Sequence, residues 1–415
     1  MNNHQSKIKN RQSKIDNQKS LLLSNVGLLV TANADGVQFF ENTSILIENG
    51  LISSIADGQS DNAIDCGGKM VTAGFVDSHT HPVFFNKRDE EYAMRLAGAT
   101  YEEIAEKGGG IISSVEGVRN ASKEELIEKV SGRMDRFIAN GTTTVEAKSG
   151  YGLDTASELK SLKVIDEVNK VHAIDMVPTF MGAHAFPKEF LDNHGAYIDL
   201  ICNEMIPAIA NQGIALFNDV FCEKGYFSIE QSRRILETGE RYGLKLRLHA
   251  DEFVDSGAAE LAGEVGALSA DHLMAVSDEG IETLAKNDIV ATLLPGTTFF
   301  LGKSSYAPAR KLIDAGIIVA LATDFNPGSS HIQSMPFIMT LACMRMGMTV
   351  EESFRAATFN GAKALGIENE VGSIEVGNIA DLILWDLDSL LEIPYFVSNH
   401  PIQKVIKNGE VVFGA

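Results

Sequence analysis

Between residues 71 and 366, short apolar runs alternate with longer amphipathic segments, the rhythm of repeated strand–helix units. The first run is Met70-Val71-Thr72-Ala73-Gly74-Phe75-Val76, and later ones fall at 142–147, 175–181, 215–222, 244–248, 267–270, 289–294 and 317–322. Apolar runs without polar alternation suit strands buried on both faces, as in parallel sheets and barrels. The segments between them open as helices do, with Ser228 and Ser277 each followed within three residues by Glu. Eight strands with intervening helices predict a (β/α)8 barrel. Residues 82–140 are too long for one helix, and Gly108-Gly109-Gly110 marks either a flexible active-site loop or a surface turn.

The two ends of the chain read differently. Gly27-Leu28-Leu29-Val30-Thr31 and Ser44-Ile45-Leu46-Ile47 are short β runs near the turn signal Asn49-Gly50, and residues 377–385 and 401–413 mirror them, with a turn at Asn408-Gly409. Each set is too small to stand alone, so the two are expected to combine. The predicted architecture is α/β: a TIM-like barrel over 70–366 inserted into a small composite β-sandwich domain from 21–69 and 367–415, after a polar, disordered tail at 1–20.

Composition narrows the partners. With 415 residues, 45% of them hydrophobic, the chain can bury a large core, and its net charge of −21 argues against nucleic acid and anionic membrane. Cys66, Cys202, Cys222 and Cys343 form no Cys-x-x-Cys pair, so reduced, buried thiols in a cytoplasmic protein are expected. The polar tail has no apolar core of a secretory signal, and no apolar run reaches membrane-spanning length. A homodimer is the default expectation for a soluble enzyme.

Candidate chemistry gathers at the ends of strands. The first run leads into Asp77-Ser78-His79-Thr80-His81, the fifth into His249-Ala250-Asp251-Glu252, the sixth into Asp271-His272, and the eighth into Asp324-Phe325-Asn326-Pro327-Gly328. In an extended segment residues two apart face the same way, so His79 and His81 can aim at one point. In a barrel all of these share one rim, the rim that carries active sites. Three imidazoles with one carboxylate suit a zinc or iron ion with an open position for water. Glu252 is the first choice for moving the water's proton, with Asp251 pointing away. His272 is either a further ligand or a hydrogen-bond partner of the attacking water. Lys148 raises the alternative of a binuclear site bridged by a modified lysine, although it is expected to support the loop after the second strand.

At this point the chain resembles the amidohydrolase superfamily and, within it, the imidazolonepropionase family. The resemblance runs from about residue 21 to the C-terminus. It rests on Gly74-Phe75-Val76-Asp77-Ser78-His79-Thr80-His81-Pro82, Glu146-Ala147-Lys148-Ser149-Gly150-Tyr151-Gly152-Leu153, Gly182-Ala183-His184-Ala185, Asp219-Val220-Phe221-Cys222-Glu223, His249-Ala250-Asp251-Glu252 and Ala322-Thr323-Asp324-Phe325-Asn326-Pro327-Gly328-Ser329. It implies His79, His81, His249 and Asp324 as ligands of one Zn²⁺ or Fe³⁺ per chain. It implies Arg88, Tyr151, His184, Glu252, Asn326, Gly328 and Ser329 as contacts to a small substrate bearing a carboxylate, and Glu252, His272 and Asp324 as catalytic groups. The expected reaction is hydrolysis of the cyclic amide of 4-imidazolone-5-propanoate to N-formimidoyl-L-glutamate in histidine degradation. A purine or pyrimidine deaminase of the same superfamily is the alternative. The chain departs from the family pattern at Phe85-Asn86-Lys87 and at His331, which leaves the loops near Arg88 and after Ser329 less defined.

Overall fold

The computed structural model describes residues 20–56, 58–99, 103 and 109–414. The expected tail, except for Ser20, and Gly108 of the glycine run lie outside them. Strands β1 (Ser20–Asn33), β2 (Gly36–Glu48), β3 (Leu51–Ile55), β4 (Ala63–Asp65) and β5 (Met70–Ala73) come from the N-terminal part. They join β14 (Leu382–Trp385), β15 (Ile402–Lys407) and β16 (Glu410–Phe413) in one mixed sheet, ordered β16-β15-β14-β5-β1-β2-β3 with β4 on β1. Asn49-Gly50 and Asn408-Gly409 both turn with positive φ at each residue, the conformation that Asn-Gly adopts at low cost in tight hairpins. Leu23, Leu29, Ile45, Val71, Leu382 and Ile406 pack into a core belonging to this sheet alone.

The second sheet is the barrel. Strands β6 (Phe75–Asp77), β7 (Thr142–Lys148), β8 (Asp175–Ala183), β9 (Phe217–Cys222), β10 (Lys245–Ala250), β11 (Ser269–His272), β12 (Val290–Leu293) and β13 (Val319–Leu321) lie side by side in chain order, every pairing parallel. Closure between β13 and β6 is made just beyond their ends, where Thr80 bridges Phe325. There the His81 N–H donates to the Phe325 carbonyl at 2.8 Å and the Asp324 N–H to the His79 carbonyl at 3.1 Å. The residues expected to carry the chemistry therefore also seal the barrel.

One boundary differs from the sequence reading. The apolar run 70–76 is not a single barrel strand: Met70–Ala73 pairs with β1 and β14, and only Phe75–Asp77 pairs with β7. The backbone changes sheets at Gly74, whose N–H donates to Asp381, while the next N–H, of Phe75, donates to Gly141. A Cβ at Gly74 would overlap the Thr143 side chain, so the crossing needs glycine. Because both halves are fully buried, hydrophobicity alone carried no mark of the switch.

Helices cover the barrel, and their starts follow the expected chemistry. Ser228 caps Ile229–Arg241 in a reciprocal box with Gln231, and Ser277 caps Asp278–Lys286. Among the described residues, the long connection after β6 carries the helices Asp89–Leu96, Ile111–Asn120 and Lys123–Ala139.

A buried ion triad ties the two sheets together. Lys407 of β15 donates to Asp381 and to Asp175 of β8, each at 2.5 Å, and Lys407 and Asp381 are almost wholly buried. Lys407→Met should therefore destabilise the protein by about 3–5 kcal/mol, because a carboxylate would be left buried without its cation. Chemical denaturation of the variant beside the parent protein measures it, and an unchanged midpoint would show that the triad contributes nothing.

Candidate active site

The strand ends are bent into position by unusual backbone. Asp251, His272, Leu273 and Asp324 have φ of 49°, 80°, 59° and 51°, a left-handed conformation that non-glycine residues hold only when their surroundings impose it. The Asp251 carboxylate accepts from Ser256, Ala258 and Ala259, so it points away from the barrel mouth and holds the loop.

Within that mouth the four expected ligands meet. His79 Nε2 lies 3.3 Å from His81 Nε2, which lies 3.3 Å from His249 Nε2. Asp324 Oδ1 is 3.6 Å from His79 Nε2 and 3.5 Å from His81 Nε2. Two aspartates dictate which nitrogens face inward. Asp271 takes the Nδ1 proton of His79 at 2.7 Å, and Asp219 takes that of His249 at 3.0 Å, so both rings turn an Nε2 lone pair to the centre. Burial pushes His79 and His81 well below the ordinary imidazole pKa, which favours neutral rings. Lone pairs of neutral imidazoles repel one another at 3.3 Å, whereas a cation among them would be bound by every one. This donor set of neutral nitrogens and one carboxylate fits a metal ion held by His79, His81, His249 and Asp324.

His272 is the neighbouring group. One of its ring nitrogens lies within 4.8 Å of donors from His79 and His249, and its Nε2 is 3.6 Å from Glu252 Oε2. Its Nδ1 is buried without a partner among the described residues, a polar atom open to a bound molecule. Burial, reinforced by the charge of Asp324, pushes the Glu252 carboxyl up to about 8. Asp324 rises by burial to about 6, although Thr297 donates to its other oxygen at 2.5 Å.

Behind the histidines stands a layer that sequence reasoning did not assign. Lys148 Nζ donates to Glu146 at 2.8 Å and to Asp219 at 2.7 Å, and Arg247 Nη2 donates to Asp271 at 2.9 Å and to the Ser78 carbonyl at 2.8 Å. Lys148 was expected to brace the loop after β7; its side chain lies wholly buried between Glu146 of its own strand and Asp219 of β9. Burial alone would lower its pKa, but Asp219 and Glu146 outweigh it and keep the amine an ammonium. The available signal was charge inside strands that are otherwise buried, such as Asp219 in Phe217–Cys222 and Arg247 in Lys245–Ala250.

Of the expected substrate contacts, His184 and Tyr151 lie beside His81. The His184 ring stacks on His81 with centroids 5.0 Å apart, and its Nδ1 bonds the Gly150 carbonyl at 2.9 Å. Burial lowers His184 to about 3. The buried Tyr151 ring lies 5.1 Å from His184 and 6.1 Å from His81. Glu91 occupies the Nε and Nη2 edge of Arg88, at 2.9 and 2.7 Å, while Nη1 reaches Gly328 so closely that a Cβ there would overlap the guanidinium. Asn326 is engaged at both ends, accepting from the Gly328 and Ser329 N–H groups and donating to the Asp324 carbonyl and Ser329 hydroxyl, so it shapes the loop.

Arg88 also borders a cavity of about 910 Å³ that Phe85, Asn86, Lys87 and His331 line with it. Arg133 sets the loop there by donating to the Pro82 and Phe84 carbonyls, and His331 packs on Phe84 and Phe325. Both departures from the family pattern thus meet in one place.

Comparison with known proteins places the chain. Over 400 residues it is 47% identical to the imidazolonepropionase of Geobacillus sp. (strain WCH70), covering 94% of each chain. It is likewise 47% identical over 395 residues to that of Brevibacillus brevis, covering 92% and 93%. The chain belongs to the imidazolonepropionase family. The Amidohydrolase family model matches residues 249–412 of this imidazolonepropionase-family chain. A zinc-bound adenosine deaminase from Xanthomonas campestris shares its fold, with a TM-score of 0.73 at 18% identity over 94% and 92% of the chains. So does a guanine deaminase from C. acetobutylicum with bound guanine, with a TM-score of 0.67 at 20% identity over 96% and 100%.

Because the candidate ligands sit on the rim while the packed interior carries stability, Asp324→Ala should lose metal and activity together and keep its fold. Elemental analysis beside a melting curve checks this. A variant with full metal content would remove Asp324 from the ligand set.

Proposed function

We propose that this protein hydrolyses the ring amide of 4-imidazolone-5-propanoate to N-formimidoyl-L-glutamate, a step of histidine degradation, in the cytoplasm. It would use one Zn²⁺ or Fe³⁺ per chain, held by His79, His81, His249 and Asp324, and work as a homodimer. The identity to imidazolonepropionases along nearly the whole chain supports the reaction. Arg88 supports the substrate: a guanidinium whose charge acts on Tyr151, which lies beside His184 and His81, matches a propanoate. Among the described residues no helix is long and apolar enough to cross a membrane.

The protein's own residues divide the work. A protein at −21 repels a small anion at long range, so the substrate carboxylate needs the short-range grip of Arg88, with Glu91 holding the other edge of the fork. Tyr151 and His184 then fix the ring beside His81. Bound metal supplies Lewis acidity, making water a better nucleophile and the ring carbonyl a better electrophile. Glu252 accepts the proton of the attacking water, and its raised pKa suits a group that must give that proton back. Neutral His272 steadies the negative oxygen that develops as the carbonyl carbon becomes tetrahedral. The proton, carried by Glu252 or Asp324, reaches the leaving ring nitrogen, and the carbon–nitrogen bond opens. Water has then been added across one amide bond.

A deaminase acting on a purine or pyrimidine ring would share His249, Glu252, His272 and Asp324 but have no use for Arg88. Arg88→Ala separates the two. On imidazolonepropanoate the variant should lose about 2–4 kcal/mol in kcat/KM, mostly through KM, and on an analogue lacking the carboxylate it should lose little. Equal losses on both would remove the carboxylate clamp, and faster turnover of a neutral nucleobase by the parent enzyme would favour deamination.

A further inference from the structure

Lys148 does not reach the reacting atoms, yet its partners reach three of the four proposed ligands. Its Nζ joins two carboxylates that lie on different strands, Glu146 on its own β7 and Asp219 on β9. Glu146 Oε2 accepts the Thr80 N–H at 3.1 Å, its carbonyl accepts the Thr80 hydroxyl at 2.5 Å, and the Lys148 N–H donates to the Thr80 carbonyl at 3.0 Å. Thr80 is the residue between His79 and His81. Asp219 uses one oxygen for Lys148 and the other for His249 Nδ1. All of these side chains are buried, so no water is at hand to replace a lost partner.

We propose that Lys148 is a positioning residue that sets the His79-Thr80-His81 segment and His249 at a common distance, acting through Glu146 on one side and Asp219 on the other. The inference rests on the metal reading of the site and deepens it. Without the ammonium, two carboxylates face each other inside the barrel. Asp219, no longer anchored through its second oxygen, is then free to turn and ceases to hold His249 in the orientation that presents Nε2. Glu146 likewise loses the cation that fixes the carboxylate beneath Thr80. One side chain thus couples ligands from strands that are not neighbours in sequence, which an ordinary partner of a single histidine does not do.

The test is metal binding by the full chain. Lys148→Met should bind Zn²⁺ about 10–100-fold more weakly in competition with a chelator. Loaded with Co²⁺, it should show a shifted visible spectrum while its circular dichroism stays that of the parent. A lysine that served only to stabilise the fold would lower the melting temperature and leave the spectrum alone. His249→Ala is run beside it. If that variant loses Zn²⁺ and Lys148→Met keeps parental affinity and spectrum, the positioning role is overturned and the metal site stands. If His249→Ala keeps Zn²⁺ at parental affinity, the metal reading itself fails. Should Lys148→Met not fold, Glu146→Gln and Asp219→Asn are measured singly and together. Their losses in Zn²⁺ affinity should fall short of the sum, since both act through one lysine, and strictly additive losses would overturn the proposal.

Discussion

Two hydrogen bonds deep in the barrel, from the Nδ1 of His79 to Asp271 and from the Nδ1 of His249 to Asp219, decide what the mouth of this protein can do. Each fixes a tautomer and a ring plane at once, so that Nε2 lone pairs of different strands converge within 3.3 Å. Burying either carboxylate alone would be costly. Arg247 stands behind Asp271 and Lys148 behind Asp219, and the two cations make the burial of the aspartates tolerable. The result is a set of rigid imidazoles arranged before any ligand arrives, the condition under which a metal is bound without reorganising the protein.

The same segments hold the fold. The barrel closes through backbone hydrogen bonds of His79, His81, Asp324 and Phe325, and the side chains of those first three residues are candidate ligands. Asp77 adds to this seam by accepting from the N–H and hydroxyl of Thr323, so the chain positions just before each ligand segment are also cross-linked. A mouth built this way cannot drift open without unzipping the first strand from the last. The substrate side is built differently, on loops. Arg88 begins the helix Asp89–Leu96, and Asn326 ties its loop through its own side-chain amide, so recognition there would be adjustable where the histidine cluster is not.

Much of this was legible in the sequence, for identifiable reasons. Strands buried on both faces announce themselves as apolar runs, and all eight barrel strands lie where such runs were read. Polar residues that follow an apolar strand abruptly mark its end, which is why His79, His81, His249, His272 and Asp324 stood out. Gly74 did not, because the passage from one buried sheet to another leaves the apolar pattern unbroken. Nor did the pairing of Lys148 with Asp219, since residues 71 positions apart meet only through the adjacency of β8 to both β7 and β9 and through the barrel's curvature. Arg88 sits in Lys87-Arg88-Asp89-Glu90-Glu91, a stretch that reads as a solvated charge run. Its packing against Gly328 is invisible in that charge pattern.

The central claim is that one metal ion, and no second one bridged by Lys148, organises this mouth beside a carboxylate clamp. Anomalous diffraction at the metal's absorption edge, from crystals grown with the product N-formimidoyl-L-glutamate, measures this directly. The account predicts one peak per chain, within bonding distance of His79, His81, His249 and Asp324, with a product carboxylate against Arg88. Two peaks in the mouth, or one peak away from these four residues, would contradict it.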